Sequence, residues 1–280
     1  MAAFFAHFAN SPATAAWVAA SLLHVPFGLE GHGFDLEAHP RLLSRIVRDA
    51  VFCTTVSEAG RLYLRERLGE ELAQRFHLVR CGVDAPERLP TKGADFRILA
   101  VGRLRRGKGF PTLLSALAHL AREGVACQCR IVGDGPAGSD LYAQAKREDI
   151  ADRIAWLGML PRPRVLEEMA AAHVLALPLL PVPGEREGLP VVVLEAMAHG
   201  AAVVTTPLYG IPEVVRDGDT GLLVPPGDAP ALAAALRRLV EDAPLRERLA
   251  QNAFALARRD FNRDRTYRRL ARHIAEMLET

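Results

Sequence analysis

Two glutamates, Glu187 and Glu195, stand in EREGLPVVVLEAMAHG (residues 185–200), the first just ahead of an apolar run and the second inside it. Pro190 is tolerated in a first helical turn, where its missing N–H has no intrahelical partner, so a helix is predicted to start there. Every residue from 191 to 198 except Glu195 is apolar, which predicts a buried helix. A buried carboxylate is unfavourable unless something pairs with it. Glu195 therefore meets either a structural donor or a ligand.

Cations cluster in VGRLRRGKGF (residues 101–110). A strand predicted over 96–101 ends there, Gly102 turns the chain, and Arg103 and Lys108 precede a helix opening near Phe110. In open α/β sheets ligands bind beyond the carboxyl ends of strands, and a helix N-terminus offers free N–H groups to an anion. Two cations at that point suit a diphosphate, although the loop alone reads equally well as a solvated basic turn. VGDGPAG (132–138) places Gly133, Gly135 and Gly138 in the GxGxxG pattern between a strand and a helix. A dinucleotide site would want an acid ending the next strand, roughly 20 residues on; Asp152 instead precedes the strand predicted over 154–157, and Pro136 sits where the helix would open. Asp217 and Asp219 imitate a metal-binding DxD but lie in RDGDTG, which reads as a turn. No His, Cys and carboxylate spacing matches zinc, so no metal is expected.

These residues need a scaffold, and the bulk composition permits one. At 280 residues, 50% hydrophobic and 24% charged, the chain has length for about two domains with real cores. The balance of 35 basic against 33 acidic residues gives no nucleic-acid footprint. Cys53, Cys81, Cys127 and Cys129 form no CxxC pair, which predicts a reduced, cytosolic protein. The N-terminus lacks the basic start of a secretory signal, and the apolar stretch 13–25 is shorter than the ~20 residues of a membrane span.

Short β-like runs alternate with amphipathic helices, the signature of doubly wound parallel sheets. Strands are predicted over 26–31, 50–55 and 76–80, with a remnant at 3–8, and helices near 11–23, 36–47 and 57–68. DAPERLPTKGA (84–94) is polar, carries two prolines and reads as a linker. Beyond it, strands are predicted over 96–101, 128–132, 154–157, 174–177, 202–205 and 221–224. The expected division is a partial Rossmann-like domain over 1–88, a complete one over 89–260, and a last helix over 261–280 that crosses back to the first.

In order along the chain, GVD (82–84), GRL with KG (102–109), GDGP (133–136), EGLP (187–190), EAMAHG (195–200), GIPEVV (210–215) and DTGLLVPPGD (219–228) resemble retaining glycosyltransferases of family 4. HFANSPATAAWVA and GHGFD upstream are similar to the bacterial exopolysaccharide and colanic-acid type. The resemblance implies the GT-B fold, an α/β architecture of two Rossmann-like domains, and a metal-free hexosyltransferase with no cofactor. Its donor would be a nucleoside-diphosphate sugar and its acceptor a polysaccharide or lipid-linked glycan, met in the cytoplasm with a peripheral contact to the inner face of the membrane.

By the same resemblance, Glu187 holds sugar hydroxyls, Glu195 the ribose, and the N–H groups of Gly188 and Leu189 the diphosphate. Gly102 and Gly133 border the donor, Arg103 and Lys108 neutralise the leaving diphosphate, and His32 lies near the donor sugar. The family's first strand and glycine-rich loop are missing ahead of AFFAHFAN, so the N-terminal domain is expected to be incomplete. Two alternatives follow: a longer protein, or a remnant that binds donor without transfer; an NAD-binding module on GDGPAG is a third. Arg41, Arg45 and Arg48 share a helical face that could touch anionic lipid, but residues 1–88 hold nine arginines against ten acids, which favours a solvated face. Residues 258–272 carry seven arginines.

Overall fold

The computed structural model describes residues 2–37 and 39–279. Its contacts divide the chain into two compact units: Met1–Gly82 with Pro183–Pro190 and Phe261–Thr280, and Val83–Val182 with Val191–Asp260. The expectation had assigned 183–190 to the second domain.

The first unit contains β1 (Phe4–His7), α1 (Ser11–Leu23), β2 (Phe27–Gly31), α2 (Pro40–Asp49), β3 (Phe52–Thr55), α3 (Glu58–Leu68), α4 (Glu70–Gln74) and β4 (Phe76–Leu78). Its parallel sheet runs β1-β2-β3-β4. All five residues of β2 are buried, as expected of a strand covered on both faces. The helix predicted over 36–47 begins later, at Pro40, after a 3-10 turn over Phe34–Glu37. Pro40 suits the opening because that position needs no donor. Ser57 caps α3, accepting from the Gly60 N–H at 3.0 Å. The core gathers Leu29, Leu36, Leu43, Ile46, Leu64 and Phe76.

The second unit contains β5 (Arg97–Val101), α5 (Phe110–Arg122), β6 (Gln128–Val132), α6 (Gly138–Arg147), β7 (Ile154–Gly158), α7 (Arg162–Ala171), β8 (Val174–Leu177), α8 (Val191–Ala198), β9 (Ala202–Thr205), β10 (Leu222–Leu223), α9 (Ala229–Glu241) and α10 (Ala243–Asp260). The sheet order β7-β6-β5-β8-β9-β10 is entirely parallel. Counted from its own first strand, this is 3-2-1-4-5-6, with the order reversing between β5 and β8. Residues 84–94 form no regular element, yet they do not hang free. The Lys92 ammonium donates to the carbonyls of Ala170 (2.8 Å), His199 (2.9 Å) and Met169 (3.3 Å), at the C-terminal ends of α7 and α8. Helix ends of that polarity favour a cation. The last helix, α11 (Arg263–Glu279), belongs to the first unit, where His273 stacks on Phe52 with ring centroids 5.8 Å apart. No helix among the described residues is long and apolar enough to cross a membrane.

Candidate functional site

In the second unit Gly102, Arg103, Lys108 and Gly133 gather at the carboxyl ends of β5 and β6, beside the reversal of strand order. The Gly102 N–H donates to Val132 O (3.0 Å) and the Leu104 N–H to Asp134 O (2.9 Å), so the loop after β5 is stitched to the loop after β6. The same closeness explains the glycines. A Cβ on Gly133 would lie 2.0 Å from Gly102 O, and one on Gly135 2.5 Å from Leu104 O. The first two GxGxxG glycines thus admit protein backbone, and a Cβ on Gly138 would meet only side chains at 3.6 Å or more, so packing of the chain on itself accounts for Gly133 and Gly135 without a pyrophosphate. The Lys108 stem packs over Gly102, and Arg103 stands exposed beside it. Gly109, at φ +72°, turns the chain into α5; a Cβ there would meet Pro178 O at 1.7 Å, and the Leu180 N–H donates to Gly107 O (2.9 Å). The loops that follow β5 and β8 are therefore locked together beside the N-terminus of α5. A cavity of about 370 Å³ opens at the ends of β5, β6 and β7, lined by Gly102, Arg103, Gly133, Met159, Leu160 and Val165 among others.

Glu195 lies in α8, which starts at Val191, one residue after the predicted Pro190. Its side chain is 14% exposed, and its Oε1 accepts from Arg162 Nη2 at 2.9 Å. Of the two sequence alternatives, a structural donor is present. That guanidinium, half exposed at the start of α7, also reaches Asp84 Oδ2 at 3.4 Å. The Glu195 and Asp84 carboxylates raise the pKa of Arg162 over the opposing effect of burial. Asp217 and Asp219 serve a turn: Leu223 N–H donates to Asp217 Oδ1 (2.9 Å) and Asn252 Nδ2 to Asp219 Oδ1 (2.9 Å).

In the first unit, the structure brings His32 and the Glu187-Gly188-Leu189 stretch together. A Cβ on Gly188 would lie 1.7 Å from His32 O, and one on Gly33 2.3 Å from Gly188 N. Leu189 is buried, and Arg186 anchors the segment by lying 4.0 Å over the Tyr63 ring. His32 follows β2 and sits beside two residues that sequence reasoning passed over. Glu30, buried, places Oε2 3.2 Å from His32 Nε2 and 3.0 Å from His7 Nδ1. Burial disfavours the His32 imidazolium, but hydrogen bonds and charge from Cys81 and Glu30 outweigh it and raise its pKa to about 10. Asp35 is the third omission. Its buried carboxylate accepts from the N–H groups of Ala9 (2.7 Å), His32 (2.9 Å) and Gly33 (2.7 Å), tying the ends of β1 and β2 together. The parallel register pairs His7 with Glu30 across 23 positions of chain, a proximity that no local spacing reveals.

Comparison with known proteins adds the family. The family described as glycosyl transferases group 1 matches residues 84–255. The alpha-D-kanosaminyltransferase of Streptomyces kanamyceticus is 35% identical over 166 residues, 59% of this chain and 42% of its own length. A putative colanic acid biosynthesis glycosyltransferase, WcaL, of Salmonella typhimurium is 31% identical over 99% of this chain and 70% of its own. The amylovoran biosynthesis glycosyltransferase AmsK of Erwinia amylovora is 33% identical over 71% of this chain and 50% of its own. The chain thus spans between two fifths and about 70% of these relatives. Among solved structures, Anabaena HepE in complex with UDP and glucose superposes with a TM-score of 0.81 at 22% identity, covering 94% of this chain and 75% of that one. Sucrose-phosphate synthase from Thermosynechococcus elongatus does so with 0.84 at 21%, covering 98% and 73%. The fold is of the GT-B type, and the chain belongs to the glycosyl transferases group 1 family.

Proposed function

We propose that the chain carries the donor-handling residues of a metal-independent, retaining glycosyltransferase of family 4. It would pass a hexose from a nucleoside-diphosphate sugar to a polysaccharide or lipid-linked glycan at the cytosolic side of a membrane. The observation that carries this reading is the arrangement at the carboxyl end of β5: Arg103 and Lys108 flank Gly102 ahead of α5, and a largely apolar cavity of about 370 Å³, with Arg103 in its wall, opens between the ends of β5, β6 and β7. Guanidinium, ammonium and free helix N–H groups together offset the charge that develops on a leaving diphosphate, the task a metal performs elsewhere. The cavity suits the nucleobase, and Glu195, held by Arg162, accepts from the ribose hydroxyls. In the first unit, Glu187 takes sugar hydroxyls, the N–H groups of Gly188 and Leu189 face phosphate, and His32 serves the sugar end. The relatives named for colanic acid and amylovoran biosynthesis support a polysaccharide acceptor.

A thermal-shift panel of UDP-, GDP- and ADP-sugars in EDTA tests the reading. One class at 100 times its Kd should stabilise the chain by about 2.7 kcal/mol. A shift with NAD and with none of the nucleotide-sugars would refute it. Retention is read from the anomeric proton coupling of the transferred sugar, which must match that of the donor.

A further inference from the structure

Two phenylalanines stand in solvent beside His32, and the donor chemistry gives neither a task. Phe34 is 50% exposed and Phe8 37%, and their rings lie 5.9 Å apart. The Phe8 ring also lies 4.8 Å from the His32 ring, which stacks on that of His7 at 5.6 Å. A single apolar side chain left in water is common. Two rings packed together against a pair of imidazoles are a patch with an apolar face and a polar edge, the kind that marks a binding site.

The backbone is arranged to hold that patch. Phe8 has φ +81°, a conformation that a bulky residue rarely adopts and that persists only where the surroundings impose it. Its N–H donates to Glu30 O (2.9 Å), and the next N–H, of Ala9, donates to the buried Asp35 carboxylate (2.7 Å). The same carboxylate accepts from the N–H of Gly33 (2.7 Å), the residue before Phe34. One buried acid thus fixes the chain beside both rings. A glycine at position 8 would take this conformation without steric cost, so what the strain retains is the phenyl ring.

A pyranose has the matching chemistry. Its faces carry C–H groups that pack on an aromatic ring and are drawn to the ring's negative face, while its rim carries hydroxyls that need hydrogen-bond partners. His7, 60% exposed, supplies a polar edge for them. We propose that Phe8 and Phe34 form the subsite that receives a sugar ring of the glycan acceptor, with His7 at its hydroxyl rim. Assigning that sugar to the acceptor rests on the transferase reading, in which His32 serves the donor sugar and the acceptor hydroxyl must arrive beside it. The binding of a glycan by the two rings does not.

The test is saturation-transfer NMR and calorimetry of the full chain with short gluco- and galacto-oligosaccharides, beside titrations of UDP, GDP and ADP. At least one oligosaccharide should bind, with the C–H protons of one ring face saturated most. Phe8→Ala and Phe34→Ala should each lower its affinity by about tenfold and leave the nucleotide titrations as in wild type. Phe8→Gly relieves the backbone, so it should melt no lower than Phe8→Ala and still lose the glycan, which separates a lost subsite from a lost fold. Glycan binding of this pattern in a chain that takes up no nucleotide would sink the transferase reading and leave the subsite standing. No oligosaccharide bound by wild type, or one bound equally well by folded Phe34→Ala and Phe8→Gly, overturns the proposal. So does binding to phosphatidylglycerol vesicles that needs both rings while glycan binding does not, which would assign the patch to a membrane.

Discussion

Replacing Glu195 by Gln separates a structural from a ligand-binding role. The structural part is small: Arg162, the partner at 2.9 Å, is half exposed and shared with Asp84, and such pairs contribute about 0.2–1 kcal/mol. For a domain of 150–250 residues, that lowers Tm by no more than about 2–4 °C. The binding part is larger. A hydrogen bond to a charged group contributes about 1.5–3 kcal/mol, so nucleotide affinity should fall about 10- to 100-fold. Arg162→Ala frees the carboxylate without removing it, and should cost as much stability while weakening nucleotide by less than about tenfold. Glu187→Gln should leave the free nucleotide bound as before and weaken only the whole nucleotide-sugar. Calorimetry with both ligands, beside thermal denaturation of each variant, reads all of these. Wild-type nucleotide affinity in a Glu195→Gln protein that melts lower would refute the reasoning and leave Glu195 as Arg162's partner alone.

Three further outcomes follow from the packing. Gly188→Ala puts a methyl 1.7 Å from His32 O, so backbone must move; urea denaturation should show a loss of about 1–3 kcal/mol or more, and an unchanged midpoint would contradict the contact. Asp35→Asn exchanges a charged acceptor of three N–H groups for a neutral one and should cost about 1.5–3 kcal/mol, read in the same assay. Burial lowers the Lys92 pKa from 10.5 to about 8, so between those values only the unfolded chain holds the proton, and stability should rise with pH across that window. Lys92→Met should remove that rise and melt lower, because the carbonyls of Met169, Ala170 and His199 lose their donor; a difference between wild type and variant that is flat from pH 8 to 10.5 would contradict it.

Much of the fold was legible where one physical signal dominated. The apolar runs 174–177 and 202–205 became β8 and β9 with the predicted bounds, because strands buried on both faces are near-continuous apolar blocks, and 128–132 became β6 although it carries an exposed Gln128 and an Arg130 paired with Glu168. α1 matches at both ends, with Pro12 in its first turn and His24 left-handed after it. The helix predicted over 36–47 begins only at Pro40, because Asp35 is engaged with the Ala9, His32 and Gly33 N–H groups and Leu36 lies in the 3-10 turn that holds it there. The polar stretch 84–94 read as a linker because a half-buried lysine with three carbonyl partners has no local signature. In the same way, Arg162 beside Glu195 and His7 beside Glu30 are long-range pairs made by packing and strand register. Placement of Pro183–Pro190 with the first unit rests on Gly188 against His32 and Arg186 over Tyr63, contacts that hydrophobic pattern does not encode.

The central claim is that cations of this chain, not a metal, hold the donor diphosphate. Calorimetric titration in EDTA of UDP, GDP and ADP, and of the matching nucleosides, into wild type, Arg103→Ala and Lys108→Ala tests it most directly. The account predicts that at least one diphosphate binds one per chain in EDTA, and that each substitution weakens it far more than its nucleoside. Equal losses for diphosphate and nucleoside, or diphosphate binding that disappears with EDTA, would contradict it.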